Sequence, residues 1–127
     1  VKYQDGESAT AAALYGVDQK LLFAGDLVYN RAYLWLAECK LDAWTKNLQG
    51  LRSLGPIEKV YPGHGAAEAT PAAIDENIAY LGAAATILQT APSADDAIAQ
   101  LKQKFAYTGG GLLDYSTKIY FGSCKKP

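Results

Sequence analysis

The chain is poor in the residues from which most metal and redox sites are built: one histidine and two cysteines in 127 residues. A single imidazole cannot form a histidine-rich metal cluster. Cys39 and Cys124 make neither a disulfide framework nor a Cys-x-x-Cys metal pattern. They are open to two readings, a buried small side chain and a loose tail thiol, or one bridge in an oxidising compartment. No Lys/Arg-rich run with interleaved aromatics occurs, and the net charge is only -1, so nucleic acid has no electrostatic footing here. No apolar run approaches the roughly 18–20 residues needed to cross a bilayer, and Val1-Lys2-Tyr3-Gln4-Asp5 is not a signal peptide. The chain is expected to be soluble, with no membrane partner. Gly109-Gly110-Gly111 lacks the Lys-Ser/Thr ending of a phosphate-binding loop, so it reads as a flexible joint. There is no internal repeat, no low-complexity tract and no sign of a second domain.

What is present suits one globular domain over 1–127, with half of the residues apolar. Two stretches share one design. Leu21-Leu22-Phe23-Ala24 is an apolar, strand-forming run that stops at Gly25-Asp26, and Ile57 to Val60 leads into Tyr61-Pro62-Gly63-His64-Gly65. Each run reads as a buried strand that delivers a polar side chain, Asp26 or His64, to one edge of a sheet, with glycine allowing the backbone to turn. An oxygen and a nitrogen ligand at neighbouring strand ends suggest a metal site.

The rest of the chain reads as helices around those strands. Ala9–Tyr15 and Lys20–Ala24 form a hairpin across Gly16-Val17-Asp18-Gln19; poor alternation in both arms suits strands covered on both faces. Leu41, Trp44, Leu48, Leu51 and Leu54 recur at three and four, which predicts a helix stopped by Gly55-Pro56, with Trp44 as a core anchor. Thr70-Pro71 predicts a second helix start, with Ile74, Ile78, Leu81, Ala85 and Leu88 buried. Ser93 with Asp96 caps a third, whose apolar face is Ile98, Leu101 and Phe105. A fourth, Leu112 to Phe121, presents Leu112, Tyr115, Ser116 and Ile119 on one side, and Gly122–Pro127 is expected to fray. Glu68 is either a residue steadying His64 or an exposed loop carboxylate.

Strand-Gly-Asp followed by Pro-Gly-His-Gly resembles the second half of the metallo-β-lactamase superfamily of metal-dependent hydrolases, over about Glu7 to His64. The resemblance implies an α/β fold, half of an αβ/βα sandwich, with a short sheet and helices packed on one side. It implies that Asp26 bridges two metal ions, acting in catalysis, and that His64 binds the second. The family's His-x-His-x-Asp-His motif is absent, so the chain resembles a C-terminal half whose first half is missing. Val1 in place of an initial Met fits an upstream portion. Where the family has a further His before the bridging Asp, this chain has Glu7, which is either a substitute ligand or a solvated loop residue. The implied metal is zinc, two ions in the full protein; a carboxylate ligand at Glu7 makes manganese or iron plausible. The implied reaction is attack of a metal-bound hydroxide on an ester, thioester, lactam or phosphoester, with the isolated chain inactive. The implied partners are a small-molecule substrate and the missing N-terminal half. Tyr29, Asn30, Tyr33 and Trp35, which follow Asp26, read either as a substrate-pocket wall or as loop packing. The alternative function is a non-catalytic binding or assembly module that dimerises through its exposed sheet face.

Overall fold

The computed structural model describes residues 1–125. It is an α/β body with a small mixed sheet and four helices, as expected of half a sandwich. Strand β1 (Lys2–Gln4) pairs antiparallel with β2 (Thr10–Ala12) as a separate ribbon. The main sheet has the order β3-β4-β5, from Leu14–Gly16, Leu21–Asn30 and Lys59–Gly65. β3 and β4 form the expected hairpin, but its first arm is divided, because Ala13 separates the part that pairs with β1 from the part that pairs with β4. β5 runs parallel to β4, and helix α1 (Leu41–Arg52) makes the crossover that a parallel pair requires.

Over the hairpin only one face of this sheet is covered, contrary to the expectation from sequence, whereas Leu27, Val28 and Tyr29 farther along β4 are all buried. Leu22 and Ala24 are fully buried beneath the helices, whereas Leu14 and Phe23, register partners on β3 and β4, are 68% and 45% exposed. Phe23 stacks on Tyr61 of β5 at 4.7 Å. An apolar row therefore crosses three strands on the wet face. Its side chains obscured the alternation, because both faces carry apolar residues and only tertiary packing separates them.

α1 buries the predicted Leu41, Trp44, Leu48 and Leu51, and the Trp44 indole donates to the Leu27 carbonyl at 2.9 Å. Helix α2 (Ala72–Thr90) starts after Pro71 without the expected Thr70 side-chain cap; the Thr70 carbonyl instead accepts from Ala73 at 3.0 Å. Its buried stripe is rotated from the predicted one. Ala73, Asn77, Tyr80 and Ala84 join Ile74, Leu81 and Leu88, while Ile78 and Ala85 are only partly covered. Helix α3 (Ala94–Lys104) is capped as read, with the Asp96 amide donating to Ser93 Oγ at 3.1 Å.

The triple glycine is not a joint. Gly109, at φ +85°, is the left-handed residue that turns the chain into helix α4 (Gly110–Ile119), and Gly110 and Gly111 form its first turn. The segment before it is tied down, with Tyr33 N donating to the Thr108 carbonyl at 2.9 Å and Thr108 N to Arg31 at 3.1 Å. α4 buries Leu113, Ser116 and Thr117; of the predicted stripe Ser116 is buried, Leu112 and Ile119 are partly covered, and Tyr115 is 63% exposed. The tail does not fray through Lys125. A wide helical turn, Tyr120–Cys124, carries Cys124 into a disulfide with Cys39, and the Lys125 ammonium donates to the carbonyls of Leu88, Gln89 and Ala91 at the end of α2. The remaining fraying expectation, for Lys126 and Pro127, lies outside the described residues. No described helix is long and apolar enough to cross a membrane.

Candidate functional site

Asp26 and His64 lie within β4 and β5 rather than beyond their ends. Along the parallel pair, Gly25 faces Pro62 and Tyr29 faces His64, so β4 uses four residues where β5 uses two. The surplus forms a bulge, the usual device for re-aiming a side chain beside a site. Gly25, at φ +52°, begins it, and Asp26 is the residue it turns outward. Across from it, a β-carbon on Gly63 would overlap Asp26 Oδ1 and stand 2.8 Å from the Asp26 nitrogen and the Gly25 carbonyl carbon. The glycine in Pro-Gly-His-Gly is thus the space that the Asp26 carboxylate occupies.

The two motifs converge. Asp26 Oδ1 lies 3.4 Å from His64 Nε2, and both side chains reach solvent, 56% and 40% exposed. Two ligands on one tetrahedral zinc, each about 2.0–2.1 Å from the metal, stand about 3.3–3.4 Å apart. The Asp26–His64 separation matches that spacing, and it is also that of a direct Asp–His contact. The fit stops at two: no trio of His, Cys, Asp or Glu side chains among the described residues comes close enough to hold a metal by itself.

Glu7, a candidate substitute ligand by sequence, belongs to no such trio. Its loop is pinned to α1, where Asn47 donates to the carbonyls of Gln4 and Asp5, at 3.3 and 2.6 Å, and the buried Gly6 packs on Trp44. Partial burial raises the Glu7 carboxyl above the usual range. A hydrogen bond with Ser8 opposes the rise, Asp26 and Glu38 add to it, and the His64 imidazole opposes it. Glu7 thus senses both members of the pair without completing a ligand set.

The four aromatic and amide residues after Asp26 divide. Tyr29 is fully buried, and its ring stacks on the His64 imidazole at 4.3 Å and 24°. Burial first, then the negative charges of Glu7 and Asp26, push its phenol far above the ordinary tyrosine value. Trp35 is partly buried, and its indole donates to Glu38 at 3.4 Å. Asn30 points to the far side, donating to the carbonyls of Ala66 and Glu68 at 3.2 Å each. Tyr33 is buried, and its hydroxyl donates to Phe105 at 2.6 Å within a cluster with Tyr80 and Tyr107. Tyr29 therefore adjoins His64, Trp35 packs beside Glu38 and Tyr115, and Asn30 and Tyr33 bond to backbone elsewhere in the fold. Glu68 pairs with Lys59 at 2.7 Å and makes no contact with His64, which settles it as an exposed loop carboxylate.

Sequence reasoning missed Asn77, a buried amide behind Tyr29. Its side chain accepts from the Tyr29 amide at 2.8 Å and donates to the Tyr29 carbonyl at 2.7 Å. A polar residue three after Ile74 and four before Leu81, on the apolar stripe, was the available signal.

Fold and site together describe an α/β half-sandwich presenting an Asp–His pair from a strand bulge. Over 68 residues, half of the chain, the sequence is 34% identical to the acyl-coenzyme A thioesterase MBLAC2 of Homo sapiens and, to the same degree, of Bos taurus. The matched stretch spans 24% of each relative's length. No protein-family model matches the chain.

Proposed function

We propose that this chain is the C-terminal part of a metal-dependent hydrolase of the metallo-β-lactamase superfamily, and that its substrate is a thioester. The observation that carries the reading is the 3.4 Å convergence of Asp26 and His64, at a spacing suited to one cation. The thioester narrows the substrate among those the resemblance implies, because the relatives in hand are acyl-coenzyme A thioesterases, hydrolases of that bond. Asp26 and His64 hold the cation, and the rest of its ligands come from outside this chain. A cation so held supplies Lewis acidity toward the thioester carbonyl and lowers the pKa of water to about 7. The chain's own contribution is orientation: the bulge aims Asp26, and Tyr29 backs the imidazole. With two ligands, the chain binds metal weakly and does not turn over substrate alone.

Calorimetric titration of the 127-residue chain with zinc tests this, alongside Asp26→Ala and His64→Ala and an acyl-coenzyme A hydrolysis assay. Weak zinc binding that both substitutions abolish, without turnover, is the expected result. Zinc binding unchanged by both substitutions sinks the site, and turnover by the chain alone sinks its incompleteness.

The row Leu14–Phe23–Tyr61 favours a second reading, an assembly module that dimerises through this face. Sedimentation separates them: a compact dimer whose melting ignores zinc and chelator supports the module, and a chelator-sensitive melt supports the hydrolase.

A further inference from the structure

We infer that Asn77 is a positioning residue for His64, acting through the backbone of Tyr29. The inference rests on the proposed site at Asp26 and His64, and adds a residue that touches neither. β3 ends its pairing with β4 at Phe23, so the far half of β4 has no strand on that side. At Tyr29 both backbone groups turn toward α2, where the Asn77 amide meets them at 2.8 and 2.7 Å. A carboxamide carries one acceptor and two donors, so it can pair with an N–H and a C=O of one residue as a neighbouring strand does. Asn77 is 2% exposed, so neither bond has water as a ready substitute.

The clamp sits directly after the bulge that holds Asp26, where β4 is paired on one edge only, with β5. It fixes the one residue whose ring lies against the imidazole, at 4.3 Å, while Trp44 packs edge-on to Tyr29 at 5.7 Å. The imidazole is thereby oriented from behind with Nε2 toward Asp26. Helix α2 thus contributes to a site from which all of its own side chains are absent, much as partners behind a metal-binding histidine set its ring orientation.

The single histidine makes the test direct, because the chain has one set of imidazole resonances. At one fixed pH, the wild-type His64 ring protons are expected upfield of free histidine, from the stacked Tyr29 ring. Asn77→Leu, which keeps the volume and removes both hydrogen bonds, is expected to move them toward the free value and broaden them. It is also expected to weaken zinc binding by about tenfold, the lower end for such supporting residues. A melting temperature that falls in Asn77→Leu while the His64 signals stay put assigns Asn77 a purely structural role and overturns the inference. If Asn77→Leu does not fold, Tyr29→Leu decides: it leaves the backbone clamp available and removes the stacked ring, and unmoved His64 signals there also overturn it. Zinc that leaves the wild-type signals untouched, with a clear response to Asn77→Leu, rejects the metal reading and keeps the positioning role.

Discussion

Replacing Gly63 by alanine strikes the site and the sheet that carries it at once, because one methyl group collides with both. The added carbon would overlap Asp26 Oδ1 and lie 2.8 Å from two backbone atoms, the Asp26 nitrogen and the Gly25 carbonyl carbon. The carboxylate can swing away; the two backbone atoms cannot, because Gly25 is held in register opposite Pro62. Ordinary carbon contacts need about 3.5–4.0 Å, so β4 and β5 must part locally. Overpacking of this kind costs about 1–3 kcal/mol, which in a domain of this size lowers Tm by roughly 3–15 °C. Circular dichroism melts of Gly63→Ala check the stability, and zinc titration checks the site, where Asp26 is expected to be lost as a ligand. Gly82→Ala is the control. It lies on α2 with nothing within 4 Å of the added carbon, and alanine there is expected to stabilise by about 0.5–1 kcal/mol. A Gly63→Ala protein that melts within a degree of wild type and binds zinc unchanged refutes the reasoning.

Two further perturbations test the body that supports the site. The Cys39–Cys124 bridge closes a sequence separation of 85 residues, and chain-entropy reasoning assigns such a loop about 4–5 kcal/mol. Urea titration with and without a dithiol reductant is expected to show the midpoint falling by roughly 2–4 M; a change equivalent to under about 1 kcal/mol rejects the loop account. Burial first, and then neighbouring Tyr33 and Tyr107, hold the Tyr80 phenol above its ordinary value. A folded value raised above the unfolded one means stability is intact below the unfolded pKa of about 10 and is lost as pH rises beyond it. Tyr80→Phe is expected to blunt that alkaline loss in melts between about pH 9 and 11, and unchanged alkaline sensitivity counts against it.

Much of the helical frame was legible because amphipathic periodicity is a local property. The spacing of Leu41, Trp44, Leu48 and Leu51 located α1 and its buried side, and Ser93 with Asp96 located the start of α3. Where small residues cover a helix all round, the period gives no unique face. That is why α2 turned Asn77, Tyr80 and Ala84 inward, and why Leu113 rather than Leu112 is the buried leucine of α4. The triple glycine looked loose by composition, yet Gly109 takes a left-handed turn and the strand-like bridge at Thr108 holds it.

The pairing of Asp26 with His64 could be anticipated from wording alone, since strand, glycine and polar residue recur in the same order at both positions. Glycine and strand propensity are local, and each motif carries its own. The three-residue surplus of β4 over β5 across two register shifts, the vacancy at Gly63 and the Asn77 clamp are all relations between segments distant in the chain. The disulfide is another, since nothing near Cys39 indicates that Cys124 lies 5.3 Å away between α-carbons. Residue types determined which groups were available for chemistry. Long-range register and packing alone decided how far apart they stand, because those distances are set by strands and helices that meet only once the chain is folded.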